Sequence, residues 1–84
     1  MPTNNLFTMI QALTDGGQLT DSFGVSFERD ANDIINCITI DIPEKDLAVV
    51  AEARGFYIQY SIDTYDGEPV ECNSLQELID ALAN

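Results

Sequence analysis

DIPEKDLAVVAEARGFYIQYSID, residues 41–63, holds the choice between helix and strand at the middle of the chain. Pro43 sits where the first turn of a helix tolerates it, and Asp41 lies close enough to cap that turn. Behind it Leu47, Val50, Ala51 and Arg54 fall on one helical stripe, and Gly55 suits a helix terminus. From Phe56 onward the period changes to two. Phe56, Ile58, Tyr60 and Ile62 alternate with Tyr57, Gln59, Ser61 and Asp63, as the two faces of a strand do. The stretch predicts a helix over 44–54, then a strand over 56–65 whose even-numbered residues are core.

Downstream, Asp66–Gly67 is a hairpin-turn dipeptide, so Glu68 to Cys72 is expected to return as a short edge strand. Pro69 fits an edge, where one backbone donor can be spared. SLQE at 74–77 has the capping-box pattern, with Ser74 as cap and Glu77 reaching back to it. Leu75, Leu78, Ile79 and Leu82 complete a helical stripe behind it. Upstream, Leu6, Met9, Ile10 and Leu13 form another such stripe, with Thr3 or Asn4 to cap it and Gly16–Gly17 to stop it. Phe23, Val25 and Phe27 alternate with polar residues over 22–28, and Arg29 to Asn32 is a polar turn. In DIINCITIDI, Ile34, Ile38, Ile40 and Ile42 share a face, with Asn36 the exception. Its other face is also partly apolar, as in a central strand.

The predicted order is α-β-β-α-β-β-α within a single domain spanning 1–84: an α+β fold with a small, mostly antiparallel sheet and helices packed on one face. Two α-β-β units, 4–42 and 44–72, are visible without any residue-level repeat.

Charge is the extreme feature of the composition. Fifteen Asp and Glu stand against Arg29, Lys45 and Arg54 in 84 residues, for a net charge of −12 with no histidine. A chain with so few cations is not expected to bind nucleic acid or an anionic membrane directly, because phosphate binding needs Lys and Arg to displace counterions. A basic protein is the natural partner, since opposite fields raise association rates by about 10–1,000-fold. Acidity also serves plain solubility. No run approaches the ~20 apolar residues of a membrane span, and the start MPTNNLFTMIQ lacks the basic end of a signal peptide. Two cysteines, Cys37 and Cys72, suit a reduced interior, so a cytoplasmic location is expected. The oligomeric state stays open.

Catalytic chemistry finds little footing. Without histidine, Cys37 and Cys72 lack the usual activating base. A carboxylate pair such as Asp63 with Glu71 would need one raised pKa in a cleft, which a small sheet under short helices scarcely offers. Asp63, Asp66, Gly67, Glu68 and Glu71 cluster like a calcium loop, but the EF-hand register fails. With Gly67 at its sixth position, Ile62 and Thr64 occupy ligand positions and Asn73 stands where Glu is required. No Cys/His set for zinc and no Gly-rich phosphate loop occurs. The expectation is no catalytic residue, metal or cofactor.

What remains is surface. Tyr57, Asp63 and Tyr65 on the outward face of the 56–65 strand, with Asp66, Glu68 and Glu71 at the turn, are the candidate partner-binding residues. Glu28, Asp30 and Asp33 at the first hairpin form a second acidic patch. Residues two apart on a strand lie ~6.6–7 Å apart on one face, a spacing of the order found along a nucleic-acid backbone. Tyrosine adds contact area at low entropic cost. The neutral helix face Asn5, Thr8, Gln11 and Thr14 is an alternative contact.

In size, charge and element order, with NNLFTMIQALTD, FGVSFERD, INCITIDI and FYIQYSIDTYD as the matching segments, the chain resembles small acidic phage-encoded inhibitors, the anti-CRISPR and DNA-mimic proteins. One such inhibitor of an RNA-guided nuclease has a short N-terminal helix and a small antiparallel meander with terminal helices over it. The helix expected over EKDLAVVAEAR departs from that layout. The resemblance implies a non-enzymatic inhibitor whose acidic face occupies the basic nucleic-acid channel of a CRISPR effector or nuclease. An acidic adaptor or immunity-type protein that neutralises a basic partner is the second reading, and an interaction module using the neutral helix face the third.

Overall fold

The computed structural model describes residues 7–83. Helix α1 (Phe7–Asp15) precedes five strands, β1 (Gly24–Arg29), β2 (Ile35–Ile42), β3 (Leu47–Arg54), β4 (Tyr57–Thr64) and β5 (Val70–Cys72), and helix α2 (Leu75–Ala83) follows them. The strands form one antiparallel sheet in sequence order, β1-β2-β3-β4-β5. An α+β fold with an antiparallel sheet is what the periodicities predict.

The middle of the chain is the main correction. The helix expected over 44–54 is instead a 3₁₀ turn at Pro43–Lys45 followed by strand β3, so the order is α-β-β-β-β-β-α. The two α-β-β units thereby merge into one meander. Asp41 does not cap the turn; Ile42 occupies that position without a side-chain bond. Asp46 then adopts a left-handed backbone at φ 60°, which stops helical propagation before Leu47. Beyond it Leu47, Val49 and Ala51 face one way and Ala48, Val50 and Glu52 the other. Val49 stacks between Ile40 and Ile62 in the register, and Ala51 between Ile38 and Tyr60. Cross-strand burial on both sides overrides the helix preference of Ala, Glu and Arg.

Gly55 turns the chain rather than ending a helix. Arg54 pairs directly with Tyr57, leaving Gly55–Phe56 as a two-residue hairpin loop with Gly55 at φ +71°. Glycine with positive φ at the first loop position is the type II′ pattern, whose twist matches the flanking strands. Phe56, expected in the core, lies in this turn and is 99% exposed. Gly55→Val should lower the unfolding free energy by about 1–2 kcal/mol, the cost of a left-handed conformation for a side chain with a Cβ. A urea melt would measure this, and an unshifted midpoint would refute the turn assignment.

One core joins sheet and helices. Ile38, Ile40 and Ile42 of β2, Val49 and Ala51 of β3, Tyr60 and Ile62 of β4 and Cys72 of β5 form a buried cluster with Met9 and Leu13 of α1 and Leu78 and Leu82 of α2. The Asn36 exception has a simple cause: the register slips between Glu28 and Arg29, where Glu28 pairs with Cys37 but Arg29 with Ile35, so Asn36 is a bulge residue. Ile34, assigned to the core face by sequence, falls before the strand and is 60% exposed.

The helix ends follow their sequence signals. Gln18 N–H donates to the Leu13 carbonyl and Gly17 N–H to that of Thr14, with Gly17 at φ +71°, which is a Schellman stop. At α2 the Glu77 N–H donates to Ser74 Oγ, while Glu77 Oε1 accepts from Asn73 N–H rather than from Ser74. The expected α1 cap at Thr3 or Asn4, and Leu6, lie outside the described residues.

Candidate functional site

Strand alternation divides the sheet into a core face and an outer face, and the register fixes what the outer face carries. Three rows cross it. Asp41, Ala48 and Asp63 stand side by side on β2, β3 and β4. The central row is Ser26, Thr39, Val50, Ser61 and Glu71. The third is Glu28, Cys37, Glu52 and Gln59. Carboxylates therefore rim a neutral centre of small side chains. Within a row, Asp41 and Asp63, like Glu28 and Glu52, are two strands apart, or ~10 Å; the two acidic rows are four residues apart, or ~13 Å.

Of the residues picked out by sequence, Asp63, Glu71 and Glu28 lie exposed on this face. Tyr65 follows β4 and sends its hydroxyl across β3 to donate to Asp41 Oδ1. Asp66 and Glu68 are exposed in the β4–β5 loop beside it. The loop folds tightly, for a Cβ on Gly67 would come within 2.9 Å of Thr64 Oγ1. Tyr57 is not part of this group. It starts β4 opposite Arg54, six residues from Asp63 and hence ~20 Å along the strand.

Two of the first-hairpin acids are occupied by their own turn. Asp30 Oδ1 accepts from Asn32 N–H and Ile34 N–H, forming an Asx turn. Asp33, at φ 63°, faces Arg29 with its carboxylate 3.8 Å from Nε and its carbonyl accepting from Nη1. Asp41 and Glu52 are the acids that sequence reasoning left out of the site. Asp41 was assigned to a cap and Glu52 to a helix; the alternation Ala48, Val50, Glu52 against Leu47, Val49, Ala51 is the signal that reveals the latter.

Arg54 is the one cation placed on the outer face among the described residues, and Glu52 Oε1 accepts from both its Nε and Nη2, at 3.1 and 2.9 Å. Both partners are about half exposed, so the pair adds little stability, yet it mutes one carboxylate near Tyr57. The face is most negative at its other end, around Asp41, Asp63 and the 65–69 loop.

The same field acts on the titratable groups. The hydrogen bond to Asp41, reinforced by some desolvation and by the charges of Asp41, Asp46 and Asp63, raises the Tyr65 phenol above its ordinary value. Because the folded value lies above the unfolded one, this contribution is present below the ordinary phenol range and is lost as pH rises through the raised value. In an ultraviolet pH titration of the phenols, Asp41→Asn should bring the Tyr65 transition down towards the ordinary range; an unmoved transition would refute the pairing. Cys37, between Glu28 and Glu52, is raised by burial first and then by those two carboxylates, with a bond to Thr39 pulling the other way. Its thiol is correspondingly a poor nucleophile at neutral pH.

Two side chains of the neutral helix face are engaged internally: Gln11 Nε2 donates to Asp15 Oδ1 at 2.9 Å and Thr14 Oγ1 to the Ile10 carbonyl at 2.7 Å. Asn5 lies outside the described residues. No helix among the described residues is long and apolar enough to cross a membrane. No protein-family model, curated protein or solved structure matches the chain.

Proposed function

We propose that this chain is a non-enzymatic acidic inhibitor that covers a basic nucleic-acid-binding surface of a CRISPR effector or nuclease. Its carboxylates stand where phosphates would bind. The observation that carries the reading is the outer sheet face: Asp41, Asp63, Glu28, Glu52 and Glu71 around a neutral centre, on a chain of net charge −12. Acidic positions ~10 Å apart within a row, and rows ~13 Å apart, are commensurate with a major groove about 12 Å wide. Glu71, Asp63 and the loop acids Asp66 and Glu68 would meet Lys and Arg, and Tyr65 would supply contact area.

The test is capture from bacterial lysate on the immobilised chain, washed first at low and then at high salt. A basic nuclease or CRISPR subunit released by salt is the expected result, because exposed charge pairs weaken as the Debye length shrinks. A salt-resistant partner, or recovery of nothing, would overturn the reading.

A further inference from the structure

The dipeptide Asp-Gly occurs twice in the chain, at Asp15–Gly16 and at Asp66–Gly67, and both copies are exposed. The fold holds them differently. Asp15 ends helix α1, and backbone bonds span the peptide that follows it. Gly16 N–H donates to the Ala12 carbonyl at 2.9 Å, Gly17 N–H to that of Thr14 at 3.1 Å and Gln18 N–H to that of Leu13 at 2.9 Å. The Asp15 carboxylate is held as well, accepting from Gln11 Nε2. Asp66–Gly67 instead lies in the loop between the end of β4 at Thr64 and the start of β5 at Val70. Among the described residues no hydrogen bond of ordinary geometry fixes the Gly67 N–H, and the Asp66 carboxylate accepts none. Packing favours the glycine there, because a Cβ at 67 would stand 2.9 Å from Thr64 Oγ1 and require Thr64 to move.

We infer that Asp66–Gly67 is a site of spontaneous isoaspartate formation in the folded chain, and that Asp15–Gly16 is protected from it. The Gly67 nitrogen attacks Cγ of the protonated Asp66 carboxyl. The new N–Cγ bond closes a succinimide ring, the Cγ–OH bond breaks, and the hydroxyl leaves with the amide proton as water. Water then opens the ring at either carbonyl. Breaking the N–Cγ bond restores aspartate. Breaking the bond to the main-chain carbonyl leaves the backbone running through Cγ, with that carbonyl now a free carboxylate on Cα. One water leaves and one returns, so no oxidant, reductant or cofactor is consumed.

Ring closure needs rotation about the aspartate ψ until the next nitrogen faces the side-chain carbon, and a following residue without a side chain to obstruct it. At Asp66 an exposed loop makes that rotation at little cost. At Asp15 the same rotation swings Gly16 away from Ala12 and breaks the bonds that close the helix, so reaction waits on local unfolding of the end of α1. Isoaspartate keeps the negative charge but adds a carbon to the main chain. The β4–β5 loop therefore changes shape at the most acidic end of the sheet while net charge is unchanged. The product also carries the carboxylate that S-adenosylmethionine-dependent isoaspartyl methyltransferases esterify, which gives the class of enzyme able to recognise the aged chain. None of this depends on which protein the acidic face binds.

The experiment is ageing of the full chain at neutral pH, folded in buffer and unfolded in guanidinium chloride. Electron-transfer fragmentation of the peptides holding Asp15 and Asp66 then locates isoaspartate, and methyl transfer from labelled S-adenosylmethionine gives its amount. In the folded chain isoaspartate is expected at residue 66 about tenfold or more faster than at residue 15. In the unfolded chain the two sites should react at comparable rates, since only the fold separates them. Asp66→Glu, which keeps the charge but would have to close a larger and slower-forming ring, should remove the signal at residue 66 and leave the melt unchanged. Equal rates at both sites in the folded chain, residue 15 ahead of residue 66, or an Asp66 that stays unmodified in the folded chain would overturn the inference.

Discussion

Ile40→Ala is expected to lower the unfolding free energy by about 2–5 kcal/mol, the range for emptying a large aliphatic site in a core that cannot collapse around it. Ile40 is fully buried, flanked in the register by Val25 on β1 and Val49 on β3. Its cross-strand neighbours are pinned by backbone pairing on both sides, so the cavity persists. A domain of 84 residues has about 4–13 kcal/mol of stability in all, at the usual ~0.05–0.15 per residue. The variant should therefore melt far below the parent, or populate the unfolded chain at room temperature. Ile34→Ala is the control: that side chain is mostly in water, and its loss should change stability by no more than about 0.5 kcal/mol. Equal effects in urea melts would mean the central sheet does not organise the core.

Reversing charge at Asp66, Glu68 and Glu71 together should weaken binding to the basic partner proposed above by about 100-fold or more at low salt. All three are exposed, two in the β4–β5 loop and one on β5 opposite Ser61. The substitutions break no hydrogen bond or ion pair described above. Folding should be unaffected or slightly favoured, because the chain's self-repulsion falls. The remaining binding should also depend less steeply on salt, by about one unit of slope for each lost ionic contact. Unchanged affinity would remove these residues from the site and leave the Asp41–Asp63 and Glu28–Glu52 rows as the acidic candidates.

How legible this was in the sequence depended on whether local and long-range preferences agreed. The stop at Gly16–Gly17, the cap at Ser74 and the alternation of β4 are local signals, and the structure follows each of them. Leu47–Arg54 is where they conflict. Leu, Ala, Glu and Arg favour a helix, and Leu47, Val50, Ala51 and Arg54 can be read as its stripe; only the vacancy between β2 and β4 makes the segment a strand. That single misreading hid Glu52 from the outer face and made Gly55 a helix stop. Phe56 was misplaced because alternation extends through a turn as easily as through a strand. The bulge at Asn36 likewise depends on β1, which no pattern within β2 reveals. The turn at Asp66–Gly67 is legible in its dipeptide, but the edge strand expected over 68–72 spans only Val70–Cys72, so Glu68 and Pro69 lie in the loop. The acidic rows were not legible, because they exist only once the strands are in register.

The most direct test of the central claim is a competition experiment on guide-loaded RNA-guided nucleases, with labelled target DNA titrated at several fixed concentrations of this chain. If the outer face stands in for phosphates, the chain will raise the apparent dissociation constant for DNA without lowering the binding plateau. That effect will fade as salt is raised, and it will vanish on reversing Asp66, Glu68 and Glu71. DNA binding undisturbed across a panel of such nucleases, or inhibition indifferent to salt and to those three charges, would contradict the account.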